Sequence, residues 1–388
     1  MAPNSSAVAI KAAIDGKLRL LKKMASRMDL REAKDPNVGS LLHLAAARGH
    51  VEICRLLVEE SGLDVNCTNP DGETPVAVAA TGGEVGVLRY LLDHGSDPAM
   101  PDAAGGTPLH IAAENGHEEA VRLLLSRGVD VDPLNNRCVT PLNIASGKGH
   151  DQALKVLLEH SADPNRGAHN IFSPLMMACT SGSLKCIKLL VEAGADVNFK
   201  SPCGASPLLK AVVDGSTDIV KFLLEAGANP NTPDMFGEIP IMHAAHEGRR
   251  DLVKVIFPHT KPISSLPNWN VDGIITTIKH MPSNAKLRGN ETFAKGDYLG
   301  ASYFYGMVNR FRDGELALLD AQKCKMMRPR KAWYRDGAAL SLLKNYKGAA
   351  NAFVEALNLD PANDEIKTAL REAVEALGCT ARPEEQNP

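Results

Sequence analysis

Short apolar clusters closed by glycine recur at a fixed step along the first two-thirds of this chain. Seven segments carry the pattern: GSLLHLAAARG, GETPVAVAATGG, GGTPLHIAAENG, VTPLNIASGKG, FSPLMMACTSG, ASPLLKAVVDG and EIPIMHAAHEG. Their closing glycines, Gly49, Gly83, Gly116, Gly149, Gly182, Gly215 and Gly248, stand 34, 33, 33, 33, 33 and 33 residues apart. The third copy shows the chemistry. Thr107 is a good helix N-cap, and Pro108 suits the first helical position, where an N–H would go unpaired anyway. Ala112 and Ala113 allow close helix packing, and Gly116 ends the helix where a left-handed backbone is needed. A second helix follows with Val121, Leu124 and Leu125 on one face; Gly128 ends it, and Asp130-Val131-Asp132 leads into a turn. The second-helix leucine recurs as Leu57, Leu91, Leu124, Leu157, Leu190 and Leu223, with Ile256 in the last copy. One such unit cannot bury its own apolar face, so stability must come from stacking units into a solenoid.

The period and the T-P-L-H core resemble the ankyrin repeat. Residues 7–33 carry Ala12, Ala13 and Gly16 in repeat register without T-P-L, as an N-terminal cap would, and the cap is expected over 1–34. Seven repeats are expected over 35–258. The one extra residue, between Gly49 and Gly83, falls near Glu59-Glu60-Ser61-Gly62. The seventh copy loses its closing G-x-D-x-N and meets Pro258, so the array stops there. Residues 259–284, with Pro262, Pro267 and Pro282, read as a connector with one helix around 271–280. Trp269 is expected to pack on the last repeat, with a partner anchor as the alternative.

From Ala285 the pattern changes. The stretch KAWYRDGAALSLLKNYKGAANAFVEALNLDP places Trp333, Gly337, Leu340, Tyr346, Ala349, Phe353, Ala356 and Pro361 at tetratricopeptide positions. This resembles the tetratricopeptide (TPR) domains of co-chaperones over 285–378, with a closing helix at Asn363–Leu377 and a tail at 379–388. The whole chain is similar to plant-type ankyrin–TPR proteins. The resemblance implies an all-α fold: an ankyrin solenoid followed by a short, truncated TPR domain. The second-helix positions Tyr298, Gly314 and Tyr346 are 16 and 32 residues apart, so half a repeat is missing between Met307 and Asp313. Residues 298–326 are therefore expected to fuse into one long, bent helix.

Co-chaperones of this kind grip the carboxylates of an EEVD tail with lysine, asparagine and arginine. The resemblance puts that clamp at Lys286 and Asn290 and at Lys331 and Arg335, with Asn309 standing in for a fifth member whose helix is missing. Residues four apart share a helix face, so each pair points one way, and ammonium and guanidinium donors suit carboxylates. The stretch Arg310–Arg335 has eight basic and three acidic residues, which suits an acidic ligand. Ordinary surface charge is the alternative for any one of these lysines.

Composition narrows the rest. A net charge of −3 argues against a nucleic-acid protein. There is no run of 18 apolar residues and no secretory n- and h-region at the start, so the expected setting is the cytoplasm, with the nucleus allowed. Eight scattered cysteines form no CxxC pair and read as reduced thiols. His43, His110 and His243 are read as recurring at the repeat's usual histidine place, one per repeat, so no metal site and no cofactor are expected. The Asn4 and Asn290 sequons read as idle. No phosphate-loop, nucleophile-elbow or H-E-x-x-H motif occurs. The expectation is a non-enzymatic adaptor: protein partners on the ankyrin turn tips and inner helices, a heat-shock chaperone C-terminus on the TPR domain. A scaffold without a chaperone contact is the alternative.

Overall fold

A computed structural model describes residues 5–167, 173–201, 204–264, 266, 268–279, 287, 346–359 and 364–380. The chain divides into two compact units, Met1–Thr277 and Ile278–Pro388.

The first unit is a stack of antiparallel helix pairs. The cap pair is α1 (Ser5–Ile14) and α2 (Leu18–Ala25). The inner helices are α3 (Leu41–Ala46), α5 (Pro75–Gly82), α7 (Pro108–Glu114), α9 (Pro141–Lys148), α11 (Pro174–Ser181), α13 (Pro207–Asp214) and α15 (Pro240–His246). The outer helices are α4 (Val51–Arg55), α6 (Val85–Asp93), α8 (Glu118–Leu125), α10 (Asp151–Glu159), α12 (Leu184–Glu192), α14 (Thr217–Glu225) and α16 (Arg250–Ile256). Each inner helix packs on the next inner helix, and each outer helix on the next outer one. Among the described residues the fold departs from all-α at one point: β1 (Lys34–Asp35) and β2 (Gly39–Ser40) form a two-residue antiparallel pair at the first turn tip.

The core is the recurring leucine line. Leu57, Leu91, Leu124, Leu157, Leu190, Leu223 and Ile256 are all fully buried, each worth about 1.5–3 kcal/mol. Side-chain caps start the inner helices: Thr74, Thr140, Ser173 and Ser206 accept hydrogen bonds from the backbone N–H groups of Ala77, Asn143, Met176 and Leu209. The extra residue of the first repeat is absorbed at the expected place, as α4 widens into a π-helical turn over Leu56–Glu60. There the Ser61 N–H reaches back five residues to the Leu56 carbonyl at 3.0 Å, so one residue is added without shifting the leucine line.

After α16 the chain makes a 3₁₀ turn at Phe257–His259 and later forms α17 (Val271–Lys279), where the connector helix was expected. Trp269 stacks on Phe257 with ring centroids 5.5 Å apart, the packing role anticipated for it. In the second unit, α18 (Tyr346–Leu359) and α19 (Asp364–Thr380) form a helical hairpin. Ala349, Phe353, Ile366 and Ala373 are its buried core, with Ala350, Leu357, Ala369 and Leu370 packed around them.

Candidate functional site

Residues 44, 78, 111, 144, 177, 210 and 243 occupy the same place on consecutive inner helices. Leu44 and Val78 are buried, while Ile111, Ile144, Met177, Lys210 and His243 are half-buried. The line is thus apolar through the fifth repeat and polar in the last two.

The turn tips beside it are braced on one another. Asn66, Asn165 and Asn198 each donate Nδ2–H to the carbonyl of a glycine one repeat on, Gly95, Gly194 and Gly227, at 3.1–3.2 Å. Each also accepts the N–H of Asp97, Asp196 or Asn229 on Oδ1 at 2.7–2.9 Å. Histidines brace the other end. The Nε2 atoms of His50, His117 and His150 lie 3.0, 3.0 and 2.9 Å from the carbonyls of Ile14, Thr81 and Glu114 in the preceding helix pair. Bracing of this kind holds a surface in shape before a partner arrives, which lowers the ordering entropy of binding.

His43 and His110 have the structural role expected of them. The Ser40 and Thr107 N–H groups donate to Nδ1 at 3.2 and 3.1 Å, so the proton sits on Nε2, which donates to the Glu73 and Val139 carbonyls at 3.0 Å. Burial pushes both imidazoles below the ordinary histidine range. His243 is different, and the reading that gave it the same place is corrected. Pro240 fixes the register, which puts Met242 at the usual histidine place and His243 one residue beyond.

That one-residue shift turns His243 toward the tip of its own repeat. Asp234 Oδ1 accepts the N–H groups of Phe236 and Glu238 at 2.8 and 2.9 Å. His243 Nε2 lies 3.1 Å from Asp234 Oδ2 and 3.7 Å from Glu238 Oε2, and His246 Nε2 lies 3.7 Å from Glu238 Oε1. The donor atoms of Asp234, Glu238 and His243 all fall within 4.8 Å of one another. The two carboxylates are 8% and 4% exposed, and both imidazoles 19%. Burial pushes the Asp234 carboxyl up, but hydrogen bonds from His243 and from the Glu238 and Phe236 backbone outweigh it and hold the group below its usual range. The second repeat has a neutral counterpart: Asn69, at the Asp234 position, donates Nδ2–H to Glu73 Oε2 at 2.8 Å. The criterion of one histidine per repeat missed this group, because its other members are carboxylates and a second histidine three residues on. The signal was the spacing Asp-x3-Glu-x4-His-x2-His from Asp234 to His246.

Lys286, Asn290, Asn309, Lys331 and Arg335, and the long helix expected over 298–326, lie outside the described residues. Among the described residues Cys54, Cys67, Cys138, Cys179 and Cys186 are free thiols, and burial pushes Cys54 and Cys179 up to about 12. No described helix is long and apolar enough to cross a membrane.

Comparison with known proteins agrees with the helix-pair stack. A family model described as ankyrin repeats (3 copies) matches overlapping windows that together run from residue 9 to residue 265. Protein phosphatase 1 regulatory subunit 12A of Mus musculus is 42% identical over 66 residues, 17% of this chain and 6% of that protein. Delta-latroinsectotoxin-Lt1a of Latrodectus tredecimguttatus is 35% identical over 86 residues, 22% of this chain and 7% of that one. The chain therefore spans only a small part of the length of these curated relatives. Among solved structures, the human ASB11 ankyrin repeat domain is 25% identical with a TM-score of 0.51, covering 57% of this chain and 99% of that one. An ankyrin array is a protein-binding scaffold, and this chain belongs to the ankyrin-repeat family.

Proposed function

We propose that the protein is a cytoplasmic adaptor: its ankyrin array holds a client or partner, and its C-terminal segment recruits the EEVD tail of a heat-shock chaperone. The observation that carries the adaptor reading is the stack of inner helices, with one half-buried side chain per repeat from Ile111 to His243 and tips braced at Asn66, Asn165 and Asn198. Such a face is continuous, extended and already ordered, which suits a polypeptide ligand. Two things support the chaperone half. The α18–α19 hairpin buries Ala349 and Phe353, two residues that the tetratricopeptide resemblance places on a packed helix. The basic and amide pairs Lys286/Asn290 and Lys331/Arg335 each have the helical spacing of a carboxylate clamp.

The test is binding of a labelled peptide ending in EEVD to the full chain, measured by fluorescence polarisation. Lys331→Ala with Arg335→Ala should weaken binding about tenfold or more, because charge-assisted hydrogen bonds are lost, and added salt should weaken it further. An amidated peptide terminus should bind poorly. Binding that ignored both substitutions and the amide would reject the clamp. No binding by the folded, unmodified chain would leave the ankyrin scaffold as the function.

A further inference from the structure

The seventh repeat departs from the other six in two ways at once. Its inner helix α15 lacks a side-chain N-cap, since Ile239 stands where Thr74, Thr140, Ser173 and Ser206 cap theirs. Its tip also brings two nearly buried carboxylates together where the second repeat has an amide and a carboxylate. Two adjacent buried carboxylates are costly unless positive charge lies between them. Among the groups that face them are the Nε2 atoms of His243 and His246.

We propose that Asp234, Glu238 and His243 form a Zn²⁺ site that fastens the tip of the last repeat to its inner helix. A tetrahedral zinc ion holds nitrogen and carboxylate donors at about 2.0–2.2 Å, so its donors lie roughly 3.3–3.6 Å apart. The separations of 3.1 and 3.7 Å from His243 Nε2 to the two carboxylate oxygens bracket that span. The third separation, between the two carboxylate oxygens, is within 4.8 Å, so an ion is reached by adjustment of the side chains. His246, 3.7 Å from the other oxygen of Glu238, orients that carboxylate. Imidazole together with carboxylate favours zinc over calcium or magnesium, which take oxygen donors. The backbone prepares the site, because the Asp234 carboxylate is already fixed by the N–H groups of Phe236 and Glu238. Zinc would then link Asp234 and Glu238 on the tip to His243 on α15. That ties the start of α15 to its tip in the one repeat whose inner helix has an isoleucine at the cap position.

The test uses the full chain, stripped with a chelator and dialysed, titrated with ZnCl₂ by calorimetry and with CoCl₂ by visible absorption. One equivalent of zinc should bind and raise the melting temperature. The cobalt form should show ligand-field bands without a thiolate charge-transfer band. Asp234→Asn rebuilds the Asn69–Glu73 pairing of the second repeat, so it should fold; His243→Gln is the second variant. Each should weaken zinc binding by about 100-fold or more, at least the upper range for disturbing a metal's surroundings. Metal-free Asp234→Asn should melt no lower than the metal-free parent. Three results would each overturn the site: no zinc bound by the stripped parent, binding that survives both substitutions, or a thiolate band showing that cysteines hold the metal.

Discussion

The Asp163 N–H donates to Asp132 Oδ2 at 2.8 Å, while Asp132 Oδ1 has no hydrogen-bond partner. At the same place Asn66, Asn165 and Asn198 use an amide N–H to reach a carbonyl one repeat on. By register the carbonyl due to Asp132 belongs to Ser161. A carboxylate cannot donate to it, so the tip ladder has one rung half-made, with a side chain only 7% exposed.

This defect sets a pH dependence. Burial pushes the Asp132 carboxyl above its usual 3.8. A raised folded value means that the contribution to stability is complete below 3.8, where the acid is protonated in both states, and is lost as pH rises through the folded value. Asp132→Asn supplies the missing donor at every pH. It should stabilise the array by about 1 kcal/mol at pH 7, and the gain should shrink as melts are taken toward pH 3.5. A variant that is less stable at pH 7 would count against the half-made rung.

His110 titrates in the opposite sense. Burial lowers its folded value below 6.5, as it does for His43, so their contribution is present above 6.5 and is lost as pH falls below it. The fourth repeat again offers a control: Asn143, at the same place, donates Nδ2–H to the Arg166 carbonyl at 2.6 Å. His110→Asn should therefore fold, with a loss of about 1 kcal/mol at pH 7.5 and a melting temperature less sensitive to pH between 7.5 and 5.5. An unchanged pH profile would show that His110 stays neutral for free.

The array was legible because it is periodic. A step of 33 residues, a proline at the first helical position and a leucine in every outer helix are local signals that repetition amplifies. Even the extra residue near Glu60 could be placed, and the π-helical turn at Leu56–Glu60 is its physical form. The group at Asp234 was harder to see. It depends on His243 lying one residue past the usual histidine, which Pro240 settles only when the register is counted from it. It also needs Glu238, where the third and sixth repeats have the small residues Gly106 and Ala205. No single repeat announces such a pairing, because it arises from departures at two places.

Among the described residues two hold left-handed backbone without being glycine: Cys138 at φ +54° and Ser161 at φ +66°. Ser161 stands in register with Gly95, Gly194 and Gly227, where an added Cβ would meet nothing within 4 Å. Its side chain is therefore tolerated for space, and only the backbone is strained. Ser161→Gly should stabilise the protein by about 0.5–1 kcal/mol, the left-handed penalty less the extra entropy of an unfolded glycine. Denaturant midpoints would measure it, and a lower midpoint would contradict the assignment.

Gly116 and His150 provide a sharper test of how repeats are coupled. Gly116 has φ +72°, and a Cβ there would lie 2.6 Å from His150 Nδ1. The same ring places Nε2 2.9 Å from the Glu114 carbonyl, in the last turn of α7. Gly116→Ala therefore meets two penalties: a left-handed alanine, about 1–2 kcal/mol, and displacement of the histidine from its carbonyl. His150→Ala alone forfeits the hydrogen bond, about 1 kcal/mol. In the double variant the collision is gone and the bond is already lost. The combined loss should fall short of the sum by about 1 kcal/mol, within the range seen for side chains in contact. Strict additivity in urea melts of the four proteins would mean that the ring moves aside freely and that the brace between the third and fourth repeats carries no energy. The expected shortfall would instead show that Gly116, like Gly83 against His117, is kept small to admit the next repeat's histidine, which is how a local helix stop becomes a contact between repeats.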